Sequence, residues 1–207
     1  LTGLFEWDLC PGNILDDGAI RLFDFGYMYR FDPLSEFNSN GLDAPLFHAA
    51  ERFETRNYFA YLLELERVSH DKALAAFVLE KRIAIECYQR LVSRLRQRGA
   101  SAGVLAWLQG FITRWREALA SDPAALYLAE GWRSHRLDLD DDLRGQTCTQ
   151  RTLKRVEWLL DAVRHEFAAL SRLNAFFWHD IGRSQAELLQ GLEADRRKAR
   201  RWQMQKP

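Results

Sequence analysis

Phe5-Glu6-Trp7-Asp8-Leu9-Cys10-Pro11-Gly12-Asn13-Ile14-Leu15 and, past Asp16-Asp17-Gly18, Ile20-Arg21-Leu22-Phe23-Asp24-Phe25-Gly26-Tyr27 decide how this chain is read. Asn13-Ile14-Leu15 and Ile20-Arg21-Leu22-Phe23 are short apolar runs on either side of an Asp-Gly pair. That arrangement is a strong local signal for a β-hairpin. A tight hairpin there returns Asp24 to the side of Asn13.

The order D-L-x-x-x-N followed by D-F-G resembles the catalytic loop and metal-binding turn of the kinase-like phosphotransferases. The Pro-Gly-Asn-Ile-Leu string leans toward the aminoglycoside and choline phosphotransferase group. The resemblance spans about residues 4 to 30. It implies ATP and Mg2+ as cofactors and a small hydroxyl-bearing molecule as acceptor. Phosphoryl transfer asks a protein mainly for positioning and charge neutralisation. Asp8 is then the catalytic base, and Asn13 and Asp24 hold the magnesium with the hard oxygen ligands that ion prefers.

Two positions depart from the pattern. Glu6 stands where the family has His, and Ala44-Pro45-Leu46 lacks the Glu of A-P-E. Glu6, with the expected absence of an N-terminal lobe, motivates an alternative expectation, a catalytically impaired pseudokinase or helical interaction module. No G-x-G-x-x-G or V-A-I-K-like string occurs in the 207 residues. The expectation is therefore a C-terminal lobe, with an N-terminal lobe or another chain over the cleft and little activity by itself.

Apolar residues make up 47% of the chain, enough for a core, and charged residues 28%, ordinary for a water-exposed surface. The formal charge of zero hides an asymmetry. Residues 1 to 67 carry twelve acids against five bases, and the remainder seventeen against twenty-four. An acidic front end suits a metal site, or the two regions neutralise each other where they meet. Cys10, Cys87 and Cys148 have neither zinc nor disulfide spacing, which favours a reducing cytoplasm. No apolar run approaches the ~18 residues of a membrane helix.

After Gly26 the text is irregular to about residue 43, and beyond it the apolar periodicity is helical. Asp43 with Pro45 opens a helix to about Val68, and Ser69 one to about Arg98, stopped by Gly99. Ser101 caps a third, and Ser121-Asp122-Pro123 a short fourth to about Trp132. Residues 134 to 148 read as a polar loop around Asp138-Leu139-Asp140-Asp141-Asp142, a solvated acidic stretch. Thr149 opens a long helix to about Trp178, and Ser184 the last. The fold expected is mainly α with a small β-hairpin (α+β), about six helices after one catalytic hairpin, residues 1–43 and 44–207 forming one unit. His48 is the one histidine placed near the motif as a substrate contact. Trp107, Trp115, Trp158 and Trp178 read as core, and the basic run Arg196 to Arg201 as a solvated helix end rather than a nucleic-acid surface.

Overall fold

The computed structural model describes residues 3–204. Two pairs of antiparallel strands carry the motif. The expected hairpin joins β2 (Ile14–Asp16) to β3 (Ile20–Leu22), with Leu15 opposite Arg21. Its turn is closed by the Asp16 carboxylate, which accepts the Gly18 amide at 3.0 Å, while Gly18 supplies the positive φ of 94° that glycine adopts without strain. The second pair joins β1 (Leu4–Glu6) to β4 (Met28–Arg30), with Phe5 opposite Tyr29. These strands are as short as β2 and β3 but are not joined by a tight Asp-Gly turn, so this pair left no signal in the sequence.

Residues 31–47 form turns pinned by Asn38, which is fully buried. Its amide nitrogen donates to the Ala44 and Phe47 carbonyls, both at 2.9 Å. The first helix therefore begins later than Asp43. α1 (Ala49–Phe53) is capped by His48, whose ring accepts the Glu51 amide at 3.3 Å. It runs through a π-helical turn (Glu54–Tyr58) into α2 (Phe59–Glu66) as one continuous rod.

Then follow α3 (His70–Gln97), α4 (Ala102–Ser121), α5 (Pro123–Gly145), α6 (Gln150–Arg172) and α7 (Gln185–Arg201). Counting the α1–α2 rod once gives six helical rods after the strands, as the periodicity predicted. Ser69, Ser101, Asp122, Thr149 and Ser184 cap them at the expected places.

Two further boundaries differ. The stretch expected as a polar loop is the second half of α5, helical to Gly145. Aspartate is a poor helix former, but here each acid meets a base: Asp140 pairs with Arg136 one turn earlier at 3.2 Å, and Asp138 and Asp142 pair with Arg155 of α6. Tertiary pairing overrides propensity. α6 stops six residues short of Trp178 because Asn174 takes the left-handed conformation (φ 50°) and Ala175 donates to the Leu170 carbonyl at 3.0 Å.

Three apolar clusters hold the helices together. Tyr88, Ile112 and Trp115 join α3 to α4; Trp132, Leu139, Val163 and Leu188 join α5, α6 and α7; Phe59, Phe77 and Tyr127 join α2, α3 and α5. Each side chain so buried contributes about 1.5–3 kcal/mol.

Beneath the π turn lies a charged core. Lys81 and Glu54 are fully buried and paired with each other, and Arg133 bridges Glu54 and Glu130. Lys154 of α6 reaches Glu64, and His70 reaches Glu66 at 3.0 Å. Glu54 and Glu64 of the acidic front region thus find their cations in the basic remainder.

Candidate active site

The three predicted residues lie at the ends of the two strand pairs: Asn13 contacts Asp8, and Asp24 follows Phe23, whose amide bonds Asn13. The β1–β4 ladder extends by the Trp7 amide donating to the Tyr27 carbonyl at 3.2 Å, and the β2–β3 ladder by the Phe23 amide donating to the Asn13 carbonyl at 3.2 Å. Asp8 and Asp24 each stand one residue beyond these rungs.

Between Asp8 and Asn13 the chain makes a tight turn. The Cys10 amide donates to the Asp8 carbonyl at 2.8 Å, and Pro11 opens a 3-10 turn (Pro11–Asn13) whose Asn13 amide returns to Cys10 at 3.0 Å. Glu6, the departure from the family pattern, braces this loop: its carboxylate accepts the Asp8 amide at 2.8 Å.

Asn13 is oriented by Asp8. Its side-chain nitrogen donates to the Asp8 carbonyl at 3.0 Å and to Asp8 Oδ2 at 3.2 Å. Both amide protons are therefore spent on Asp8, and Oδ1 has no partner among the described residues. Asp24 is exposed, and its carboxylate likewise has neither hydrogen bond nor ion pair among them. Its backbone is left-handed, φ 59° and ψ 71°. Asp tolerates that region better than most residues, but it costs energy and recurs at functional sites. Two oxygen donors without protein partners suit a hard divalent cation. No cluster of three or more His, Cys, Asp or Glu side chains able to hold a metal exists among the described residues.

The structure adds a residue that the sequence reading lacked. Arg56, from the π turn, donates to Asp8 Oδ1 through Nε at 3.0 Å and Nη2 at 2.8 Å. Its Nη1 reaches Asp141 at 3.1 Å and Asp138 at 3.5 Å. Burial disfavours the guanidinium charge, but Asp138, Asp8 and Asp141 outweigh it and hold the Arg56 pKa above its usual value. Asp138 is itself pushed up to about 6 by burial, against the pull of Arg155 and Arg56. No sequence pattern marks Arg56, which lies 48 residues from Asp8.

Asp8 opens onto a cleft of about 630 Å³ lined by Trp7, Arg56, Asp141, Arg144 and Trp178 among others. That volume lies in the range of small-molecule sites. Asn13 and Asp24 lie outside it, on the strand side. Trp178, expected in the core, is 49% exposed, lines this cleft and has a positive φ of 51°, rare for so bulky a residue. Trp7 donates to Ser39 Oγ at 2.8 Å and packs edge-on against Phe47, with Arg52 lying over both rings. His48 is 1% exposed, bonds Tyr88 at 2.6 Å and does not line the cleft; it is a core and capping residue, not a substrate contact.

No protein-family model, curated protein or solved structure matches the chain. No helix among the described residues is long and apolar enough to cross a membrane.

Proposed function

We propose that the chain carries the transfer site of an ATP- and Mg2+-dependent phosphotransferase whose acceptor is the hydroxyl of a small molecule in the cleft. One observation carries the reading: Asn13 Oδ1 and the Asp24 carboxylate stand unpaired at the end of the hairpin, while the Asn13 amide is fixed on Asp8. Magnesium bound there neutralises the charge of the nucleotide phosphates during transfer. Asp8 orients the acceptor hydroxyl and takes its proton, and Asn13 keeps the Asp8 carboxylate in place. Trp7 and Trp178 supply apolar walls for the acceptor, and the carboxylates of α5 its polar contacts.

A cover over the strand face belongs to the same reading. Leu15, Ile20, Leu22, Phe23, Phe25 and Tyr27 are between 40% and 68% exposed. So much apolar surface on two small strand pairs fits an interface, with an N-terminal lobe or another chain closing the ATP site. Cys10, Cys87 and Cys148 are free thiols, in keeping with a reducing cytoplasm as the place of action.

A second reading rests on Arg56 and Glu6. With Asp8 already paired to a guanidinium, the same fold serves a module that binds without turnover. Transfer of labelled γ-phosphate from ATP to a panel of sugars and amino alcohols, in the protein with its cover, separates the two. Asp8→Asn should lower transfer by about 10²–10⁴-fold with Mg-ATP binding retained, and Asp24→Ala should weaken Mg-ATP binding itself. Transfer at near wild-type rate in Asp8→Asn would exclude the assignment of the base.

A further inference from the structure

Arg56 occupies an unusual place. The π turn is closed by the Phe59 amide donating to the Glu54 carbonyl, five residues back. Such wide turns inside α-helices recur at functional sites. Here Glu54 and Thr55 point into the core, at 0% and 1% exposure, while the next side chain, Arg56, emerges into the cleft.

The contacts of Arg56 are divided. Two of its nitrogens converge on Asp8 Oδ1, and the third faces Asp141 and Asp138 on α5. Asp8 Oδ2 is left with the Asn13 amide and the Cys10 thiol. Of the other cations nearby, Arg155 is engaged by Asp138 and Asp142 and Arg52 by Glu51, while Arg144 lines the same cleft. Without Arg56, the Asp8 carboxylate would face the acids of α5 with no guanidinium bonded to it. Coulomb repulsion across a cleft wall of low polarisability would push the loop outward.

We propose that Arg56 is a positioning residue for Asp8: it fixes one carboxylate oxygen, leaves the other to the Asn13 amide and the Cys10 thiol, and ties the loop of residues 8–13 to α5. The proposal rests on the transfer reading above for what Asp8 does, and on contacts of this chain for how it is held. A planar guanidinium presents two parallel donors in a fixed fork, which an ammonium cannot. Lysine should therefore restore charge but not orientation.

Amide hydrogen exchange of the 207-residue chain tests it, with Mn2+ binding followed by water proton relaxation on the same samples. The variants are Arg56→Ala and Arg56→Lys, with α4–α7 protection as the control for intact folding. In Arg56→Ala, the Asp8 and Asn13 amides should exchange roughly tenfold faster, the loss of one charge-assisted fork, and Mn2+ should bind several-fold more weakly. Added methylguanidinium should reverse both effects. Arg56→Lys should fall between. Loop exchange within twofold of wild type in Arg56→Ala, or a loosening that methylguanidinium leaves untouched, would overturn the role of Arg56. Wild-type protein that binds no Mn2+ while Arg56→Ala loosens the loop would instead sink the transfer reading, and with it the catalytic purpose assigned to the contact.

Discussion

Replacing Lys81 by Met should cost this protein about 3 kcal/mol. Lys81 is fully buried, with its ammonium on Glu54, 3.7 Å from Glu130 and 4.4 Å above the Trp115 ring. Burial alone would drive the ammonium to shed its proton, but Glu130, Glu54 and Glu80 outweigh it and hold its pKa above the usual lysine value. Met matches the volume of the lysine stem, so no large cavity adds to the loss. What changes is the charge count, since Arg133 is left as the cation bonded to both Glu54 and Glu130. Removing one partner of a buried pair costs about 3–5 kcal/mol, and the remaining guanidinium puts this case at the low end. At about 2–4 °C per kcal/mol for a chain of this size, Tm should fall by ~6–12 °C. Urea unfolding gives the free energy, and Lys81→Met/Glu54→Gln should recover part of it by removing the stranded carboxylate. A loss below ~1 kcal/mol in Lys81→Met would refute the reasoning, because such a value belongs to a solvated surface pair. The effect reaches the site as well, since Glu54 begins the π turn that presents Arg56.

Further outcomes follow from the buried groups. Burial first, and repulsion from Glu54 second, push the Glu80 carboxyl up to about 8. The folded protein keeps that proton while the unfolded chain loses it near the usual 4.5, so stability should decline as pH rises from 4.5 toward 8. Glu80→Gln should abolish this share of the decline in urea titrations, and an identical pH slope in wild type and variant would show the carboxyl to be already ionised. His135 titrates in the opposite sense: burial, aided by Arg155, lowers it to about 3, so the unfolded chain takes up a proton below 6.5 that the folded state refuses. Stability should fall from pH 6.5 toward 3, and His135→Gln should remove up to about 1.4 kcal/mol per pH unit of that fall. Glu6→Ala should leave Tm within ~2 °C of wild type yet speed exchange of the Asp8 amide; unchanged exchange would deny the bracing contact.

Local chemistry made part of this legible in sequence. The Asp-Gly turn, the caps Ser69, Ser101, Asp122, Thr149 and Ser184, and the Gly99 stop are signals written within a few residues, and the fold places them as read. Asp8, Asn13 and Asp24 could be named because their spacing is local too. What escaped depends on partners far along the chain. The Asp138–Asp142 run looked like a loop because Arg155 and Arg56, which neutralise it, are distant in sequence. Arg56 itself is one arginine in a helical stretch, and only the extra residue of the π turn aims it at Asp8. Trp178 read as core because its apolar spacing continued that of α6, and the helix stop depended on the conformation of Asn174.

The central claim is that Asn13 and Asp24 hold a divalent cation beside Asp8. The most direct measurement is paramagnetic line broadening by Mn2+ in the 15N-labelled chain, observed at the Asn13 side-chain amide and the Asp24 backbone amide. The account predicts that both signals broaden at the lowest Mn2+ additions, that excess Mg2+ restores them, and that Asp24→Ala abolishes the effect while α3 and α4 signals stay sharp throughout. Broadening centred on Asp140, Asp141 and Asp142 with Asn13 unaffected, or none at either amide, would contradict it.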